Sequence, residues 1–177
     1  MNAPGMQRAG RHHHGGLTLI ELLVALALVA VLTTLALPSF ATMMGRHRLK
    51  AVAENMALDL AELRFQATRR GVALHLQVSP GANWCYALAL APGCDCQVQQ
   101  HCQIKTVHGR DHPGVVLEEG TNLLFEAQGT LTQPILPSQT GAVLKSSDGS
   151  RLQVGVSALG RPKVCAPGAA VAGYAAC

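Results

Sequence analysis

The sequence predicts an α+β fold in which a long N-terminal helix, with a transmembrane half and an amphipathic half, packs on an antiparallel β-sheet domain. Residues 22–44 contain no Asp, Glu, Lys, Arg or His, and apolar residues then recur at helical spacing as far as residue 70. After residue 70 the pattern changes to short β-type runs separated by turn residues. Because no helical pattern alternates with these runs, we expect the strands to pair antiparallel.

Composition divides the 177 residues into four segments. We interpret residues 1–16 as a leader peptide, 17–44 as a transmembrane helix, 45–70 as an amphipathic helix and 71–177 as a β domain. At about 1.5 Å of rise per residue, the apolar segment is long enough to cross a hydrocarbon core of about 30 Å. The leader carries arginines and no acid, so the positive-inside rule keeps it cytoplasmic and places the β domain on the opposite side of the membrane.

Two residues of the apolar segment are unusual for a membrane helix. Glu21 lies near its start, and a charged group at the centre of a membrane helix costs about 2.5–3.5 kcal/mol, so Glu21 is a functional candidate. The alternative is a place in the first helical turn at the interface, where water and the helix dipole stabilise a carboxylate. Pro38 lacks a backbone N–H and predicts either a kink or local melting of the helix, or the end of the membrane span.

The segment from Gly45 to Arg70 is typical of an amphipathic helix. One face carries an apolar stripe at steps of three and four residues, formed by Leu49, Val52, Met56, Leu60, Leu63 and Ala67. Charged residues, among them Asp59, lie mostly on the other faces, and we interpret them as solvated. This stripe requires a sheet to cover it.

Seven β-type runs follow, after Gly71 ends the helix. The predicted strands are Val72 to Val78, Trp84 to Leu90, Ile104 to Val107, Val115 to Leu117, Leu123 to Ala127, Gly141 to Lys145 and Leu152 to Val156. The dipeptide Asp148-Gly149 between the last two runs predicts a hairpin.

All six cysteines follow the membrane segment, which indicates disulfides in an oxidising compartment: Cys85, Cys94, Cys96, Cys102, Cys165 and Cys177. The first four allow three pairings, and the sequence does not choose among them. Four thiolates would also suit zinc, but the spacing lacks paired C-x2-C knuckles, so we favour disulfides. Cys165 and Cys177 are expected to close the C-terminal loop, which would stabilise the fold by about 2–4 kcal/mol in the chain-entropy model.

The start of the apolar helix contains a specific motif. Gly16 is followed by Leu-Thr-Leu-Ile-Glu-Leu-Leu and a long apolar run, which resembles the signal of type IV prepilins and type II secretion pseudopilins. The resemblance implies cleavage between Gly16 and Leu17 by a prepilin peptidase and methylation of the new N-terminus. It also implies insertion in the bacterial inner membrane, with the β domain periplasmic. Glu21 would then neutralise the N-terminus of a neighbouring subunit during assembly into a filament.

The β domain shows a narrower resemblance. Residues 123–132, a hairpin, and residues 156–165 look like the corresponding parts of the GspH/FimT family of minor pilins and pseudopilins. This resemblance implies a pilin-like fold, a long helix on antiparallel sheets, which agrees with the prediction from the residue patterns. It leaves two machines open, a type IV pilus, which we favour, and a type II secretion system.

A basic stretch, Gly160-Arg161-Pro162-Lys163, lies just before Cys165. In some competence-associated members of that family a Gly-Arg-x-Arg motif at the matching place binds DNA. The resemblance therefore implies sequence-independent binding of double-stranded DNA by Arg161 and Lys163 on a loop constrained by the disulfide, with Arg151 as a third cation. The alternative is an ordinary loop whose cations are only solvated.

No pattern in the sequence indicates catalysis. It contains no nucleophile elbow, P-loop or HExxH helix. We therefore expect no enzyme, no cofactor and no metal. An anchored enzyme that uses the apolar segment only as a signal would be cleaved near Ala36 or Ala41 instead of after Gly16. The formal net charge of +4 includes the cations of the leader and says little about partners.

Overall fold

The computed structural model describes residues 18–98, 102–132 and 141–177, except for the side chains of Leu35 and Pro38. The chain divides into two compact units, Met1–Ser39 and Phe40–Cys177. One helix, α1 (Leu19–Arg70), contributes to both units. Each unit is described by itself.

The first unit consists, within the described residues, of the first part of α1. Its apolar side chains are exposed, and α1 is long and apolar enough to cross a membrane. The helix is assigned without interruption through residue 38, so the local melting expected at Pro38 is not observed.

The second unit is built on residues 40–70 of α1. The predicted apolar stripe is buried, as the sequence indicated, with exposed fractions of 0 to 2% for Leu49, Val52, Met56, Leu60, Leu63 and Ala67. These side chains join one core with residues of both sheets, because a helix stripe of this width can only be covered by a continuous apolar surface.

The described residues form eight strands: β1 (Leu74–Ser79), β2 (Cys85–Ala89), β3 (Gln103–His108), β4 (Val115–Gly120), β5 (Leu123–Phe125), β6 (Ala142–Ser146), β7 (Arg151–Val156) and β8 (Pro162–Cys165). They make two four-stranded sheets, in the orders β3-β2-β1-β5 and β4-β6-β7-β8. All pairs of neighbouring strands are antiparallel, as predicted. A short 3-10 helix, Gly109–Asp111, connects β3 to β4.

All seven predicted strands are present, and their bounds differ by at most a few residues from the prediction. The hairpin predicted at Asp148-Gly149 joins β6 to β7, with Gly149 at a φ of 85°. Among the described strands, β8 is the one that the residue pattern missed. Proline and lysine are depleted in strands, and Pro162 is tolerated at this place because β8 lies at the edge of its sheet.

Trp84 connects the two sheets. Its indole nitrogen donates a hydrogen bond to the carbonyl of Val115 at 2.8 Å, so the first residue of β4 is held beside the start of β2. The ring stacks on His112 with 5.9 Å between ring centroids. A side chain at Gly109 would run into the indole ring, so glycine is needed for this close approach.

Asp59 contradicts the interpretation of the helix charges as solvated. Its side chain is only 12% exposed and accepts hydrogen bonds from Tyr86 Oη at 2.9 Å and from Lys105 Nζ at 2.6 Å. Burial and the neighbouring Asp59 carboxylate raise the pKa of Tyr86. Both partners come from the first sheet, so the sequence spacing within α1 gave no sign of them. The buried carboxylate fixes the position of α1 on β2 and β3.

Candidate functional site

The first candidate site is the start of α1. Gly16 and Leu17 lie outside the described residues, and the description begins at Thr18. The Thr18 hydroxyl accepts a hydrogen bond from the backbone N–H of Glu21 at 3.3 Å, and the Thr18 carbonyl accepts one from Leu22 N–H at 3.1 Å. Thr18 is therefore the N-cap of α1. With Glu21 three residues later it forms the sequence of a capping box, which the sequence analysis did not use.

Glu21 is exposed on the first turn of an apolar helix. It has no ion pair within the described residues. A carboxylate in an apolar surrounding is stabilised by a cation brought close to it. The exposed Glu21 carboxylate can pair with a cation that another molecule supplies.

The second candidate site is the connection between β7 and β8. We call residues 157–163 the basic turn. Arg161 lies where the turn enters β8, and its backbone N–H donates a hydrogen bond to the Ser157 hydroxyl at 3.1 Å. Lys163 lies on β8 opposite Gly155 of β7. Lys163 therefore belongs to an edge strand and not to the disulfide-constrained loop on which it was expected.

Both cations of the basic turn are exposed. Side chains alternate along β8, so Lys163 faces outward while Val164 packs against the core. Neither Arg161 nor Lys163 has an ion pair in the part of the chain that the structure describes. The turn therefore presents two uncompensated positive charges on one side of the sheet edge.

Arg151 does not join them as a free cation. Its Nε lies 2.9 Å from Oε2 of Glu118 on β4, and Lys145 of β6 binds Oε1 of the same carboxylate at 2.9 Å. Hydrogen bonding by Lys145, together with the nearby Arg151 charge, lowers the pKa of Glu118. The expected third cation is therefore held in an ion pair by an acid from another strand, a contact that the sequence could not place.

Glycine is required at two places beside the basic turn. Gly160 (φ 73°) and Gly129 (φ 77°) both have left-handed backbones, and a side chain on Gly160 would overlap the Gly129 carbonyl oxygen. Arg64 of α1 lies against both glycines, and its Nε donates a hydrogen bond to the Gly129 carbonyl at 3.1 Å. Both glycines lie in segments whose sequence indicated a role, residues 123–132 and 156–165, whereas no sequence pattern pointed to Arg64.

The N-terminal segment and the chain as a whole are similar to known proteins. Residues 11–37 match the family described as the prokaryotic N-terminal methylation motif. The pilin-like protein PilA1 of Thermus thermophilus is 29% identical over 157 residues, which cover 84% of this chain and 97% of that protein. This chain therefore carries a prokaryotic N-terminal methylation motif and is similar along most of its length to a pilin-like protein. Among solved structures, the type IV minor pilin FimU of Pseudomonas aeruginosa aligns with a TM-score of 0.49 at 21% identity, covering 68% of this chain and 98% of that one.

Three disulfides stabilise the β domain of this chain. The pairing that the sequence left open is Cys85–Cys96 and Cys94–Cys102, and the third bond joins Cys165 to Cys177. No thiol is left for zinc, since all six cysteines are bonded.

The C-terminal loop closed by Cys165–Cys177 packs on α1 and not on the basic turn. Lys50 Nζ donates a hydrogen bond to the Ala172 carbonyl at 2.7 Å, and Tyr174 Oη donates one to Glu54 at 2.8 Å. Burial and the Glu54 carboxylate raise the pKa of Tyr174 to about 12. This disulfide therefore anchors the end of β8, whereas the basic turn lies at its beginning.

Proposed function

We propose that this pilin-like chain is a minor pilin of a type IV pilus. Prepilin peptidase cleaves after Gly16, the new N-terminus at Leu17 is methylated, and residues 17–44 hold the subunit in the inner membrane with residues 71–177 in the periplasm. The observation that carries the proposal is the methylation motif at residues 11–37, joined directly to an exposed apolar helix.

Assembly is the mechanism of such a subunit. Transfer from the membrane into a filament keeps the apolar helix out of water. During this transfer Glu21 forms an ion pair with the N-terminus of a neighbouring subunit. Its exposure and its lack of a cationic partner in the described residues support this role. The Glu21 carboxylate and the neighbouring N-terminus would each be costly to leave unpaired in an apolar surrounding. Their pairing therefore selects the correct position of the incoming subunit along the filament axis.

The experiment compares Glu21→Val and Glu21→Gln with the unaltered chain in cells. The cap of α1 uses the backbone N–H of residue 21, which both variants keep, so insertion in the membrane should be normal. We expect both variants to be missing from sheared filaments, because Gln keeps the shape but lacks the charge. Normal incorporation of either variant into pili would overturn the assembly role. Recovery of the unaltered chain only with a type II secretion machine would overturn the assignment to a pilus.

We propose further that the basic turn binds double-stranded DNA without sequence preference. Arg161 and Lys163 are exposed and lack acidic partners within the described residues, as phosphate contacts require. Arg161 offers a bidentate fork and Lys163 a point charge. Two such contacts support only weak and strongly salt-dependent binding on a single subunit.

The binding test uses the full chain in a zwitterionic detergent, oxidised, with fluorescent duplex DNA at several salt concentrations. We expect Arg161→Gln and Lys163→Gln each to weaken binding and to lower the slope of log affinity against log salt by about 0.9. The control is Arg110→Gln, which removes one exposed cation from the 3-10 helix between β3 and β4. Equal losses in all three variants would show binding by net charge alone and would overturn the proposed site.

A further inference from the structure

Arg64 of α1 lies beside the basic turn in a fixed position. A Cβ added to Gly160 would lie 3.1 Å from both Cδ and Nε of Arg64, and one added to Gly129 would lie 3.1 Å from its Cγ. The side chain therefore runs between two glycines whose lack of side chains leaves room for it. The hydrogen bond from Nε to the Gly129 carbonyl fixes the direction of the guanidinium group.

The rest of that guanidinium group is available. Only Nε donates a hydrogen bond within the described residues, which leaves the terminal nitrogens Nη1 and Nη2 without an acceptor there. The side chain is half-buried, and no carboxylate pairs with it in the part of the chain that the structure describes. An arginine held in this way loses little conformational entropy when it binds a phosphate, since its stem and Nε are already placed.

Arg64 is close enough to act together with Arg161. Consecutive Cα atoms are about 3.8 Å apart, so the contact of Arg64 with Gly160 places the Arg161 Cα within about 8 Å of Arg64 Nε. Duplex DNA carries one negative charge per about 1.7 Å of its axis, so two arginine side chains that start this close to each other can reach phosphates of the same short stretch of backbone.

We propose that Arg64, and not Arg151, is the third phosphate ligand of the DNA site. This inference rests on the proposed binding of DNA by Arg161 and Lys163. Arg151 is held in an ion pair by Glu118, a carboxylate that it shares with Lys145, whereas no carboxylate pairs with Arg64 in the described residues and Arg64 adjoins the turn. The site thus combines one cation from the helix with two from the β7–β8 connection.

The test measures DNA binding and its salt slope for Arg64→Gln and Arg64→Lys, with the full oxidised chain in zwitterionic detergent. Arg161→Gln is the positive control and Arg151→Gln the matched control on the neighbouring strand. We expect Arg64→Gln to weaken binding several-fold and to lower the slope by about 0.9, as Arg161→Gln does. Arg151→Gln should change the slope little. Arg64→Lys loses the hydrogen bond to Gly129 but keeps the charge, so it should keep the slope of the unaltered chain.

The outcomes separate this inference from the proposal on which it rests. If the unaltered chain does not bind DNA, both are overturned. If Arg161→Gln reduces the slope and Arg64→Gln does not, only the role of Arg64 is overturned. If Arg64→Lys and Arg64→Gln reduce the slope equally, the residue supports the turn structurally and contacts no phosphate, which also overturns the inference.

Discussion

Replacement of Asp59 by alanine should destabilise the second unit more than the loss of any exposed acid on α1. The change removes the acceptor of the Tyr86 hydroxyl, whose residue is 1% exposed, and a buried donor without an acceptor costs about 1–3 kcal/mol. Lys105 is half-exposed and regains water, so the lost ion pair adds at most about 1 kcal/mol. The expected loss in the free energy of unfolding is about 1–4 kcal/mol.

The assay is chemical denaturation of the oxidised chain in detergent, followed by the fluorescence of Trp84, the single tryptophan. Tyr86→Phe removes the donor and leaves Asp59 paired with Lys105, so it should cost only about 0.5–1.5 kcal/mol. The double variant should cost less than the sum of both, because it leaves no orphaned hydroxyl. Glu62→Ala, an exposed acid on the same helix, is the control. Equal losses for Asp59→Ala and Tyr86→Phe, with additive effects, would refute this reasoning.

Three further predictions use the same denaturation assay. Gly160→Ala should destabilise by about 1–3 kcal/mol, because it combines a strained φ with a clash on a carbonyl oxygen, and it should cost more than Gly149→Ala, which has the same type of φ but open space. The hydrogen bond from Arg46 lowers the pKa of Asp148 from 3.8 to about 2. The stability that this pair contributes is therefore present above about pH 4 and is lost as the pH falls towards 2. Asp148→Asn should remove that part of the pH dependence of the free energy of unfolding. Cys177→Ala should cost about 2–4 kcal/mol through release of the C-terminal loop, and a smaller loss than that of Gly149→Ala would contradict this.

Local patterns were sufficient to predict most of the fold. The apolar stripe of α1 faces the core as predicted, because residues three and four positions apart lie on the same face of a helix. The hairpin between β6 and β7 was predictable as well, because the conformation of its turn depends on two adjacent residues, Asp148 and Gly149.

Contacts between distant elements could not be predicted. The ion pair of Asp59 joins α1 to β3, and that of Arg151 joins β7 to β4, so neither partner is close in sequence. Strand β8 was missed because its apolar pattern is too short and begins with proline, and its position depends on the edge of a sheet.

The basic turn was predictable in its local sequence pattern but not in its contacts with distant elements. Its cations were visible in the sequence as a Gly-Arg-Pro-Lys stretch, yet the role of Gly160 depends on Gly129, a residue of another loop. The same close approach brings Arg64 to the site. A single sequence gives no sign of such a contact, because nothing in the spacing of α1 distinguishes Arg64 from the other cations of that helix.

The most direct test of the pilin assignment is the mass of the mature N-terminal peptide from membrane and filament fractions. We predict a chain that begins at Leu17 and carries one N-terminal methyl group, with Glu21 as the fifth residue. A chain that begins after Ala36 or Ala41, or one that retains the leader in assembled filaments, would contradict the account.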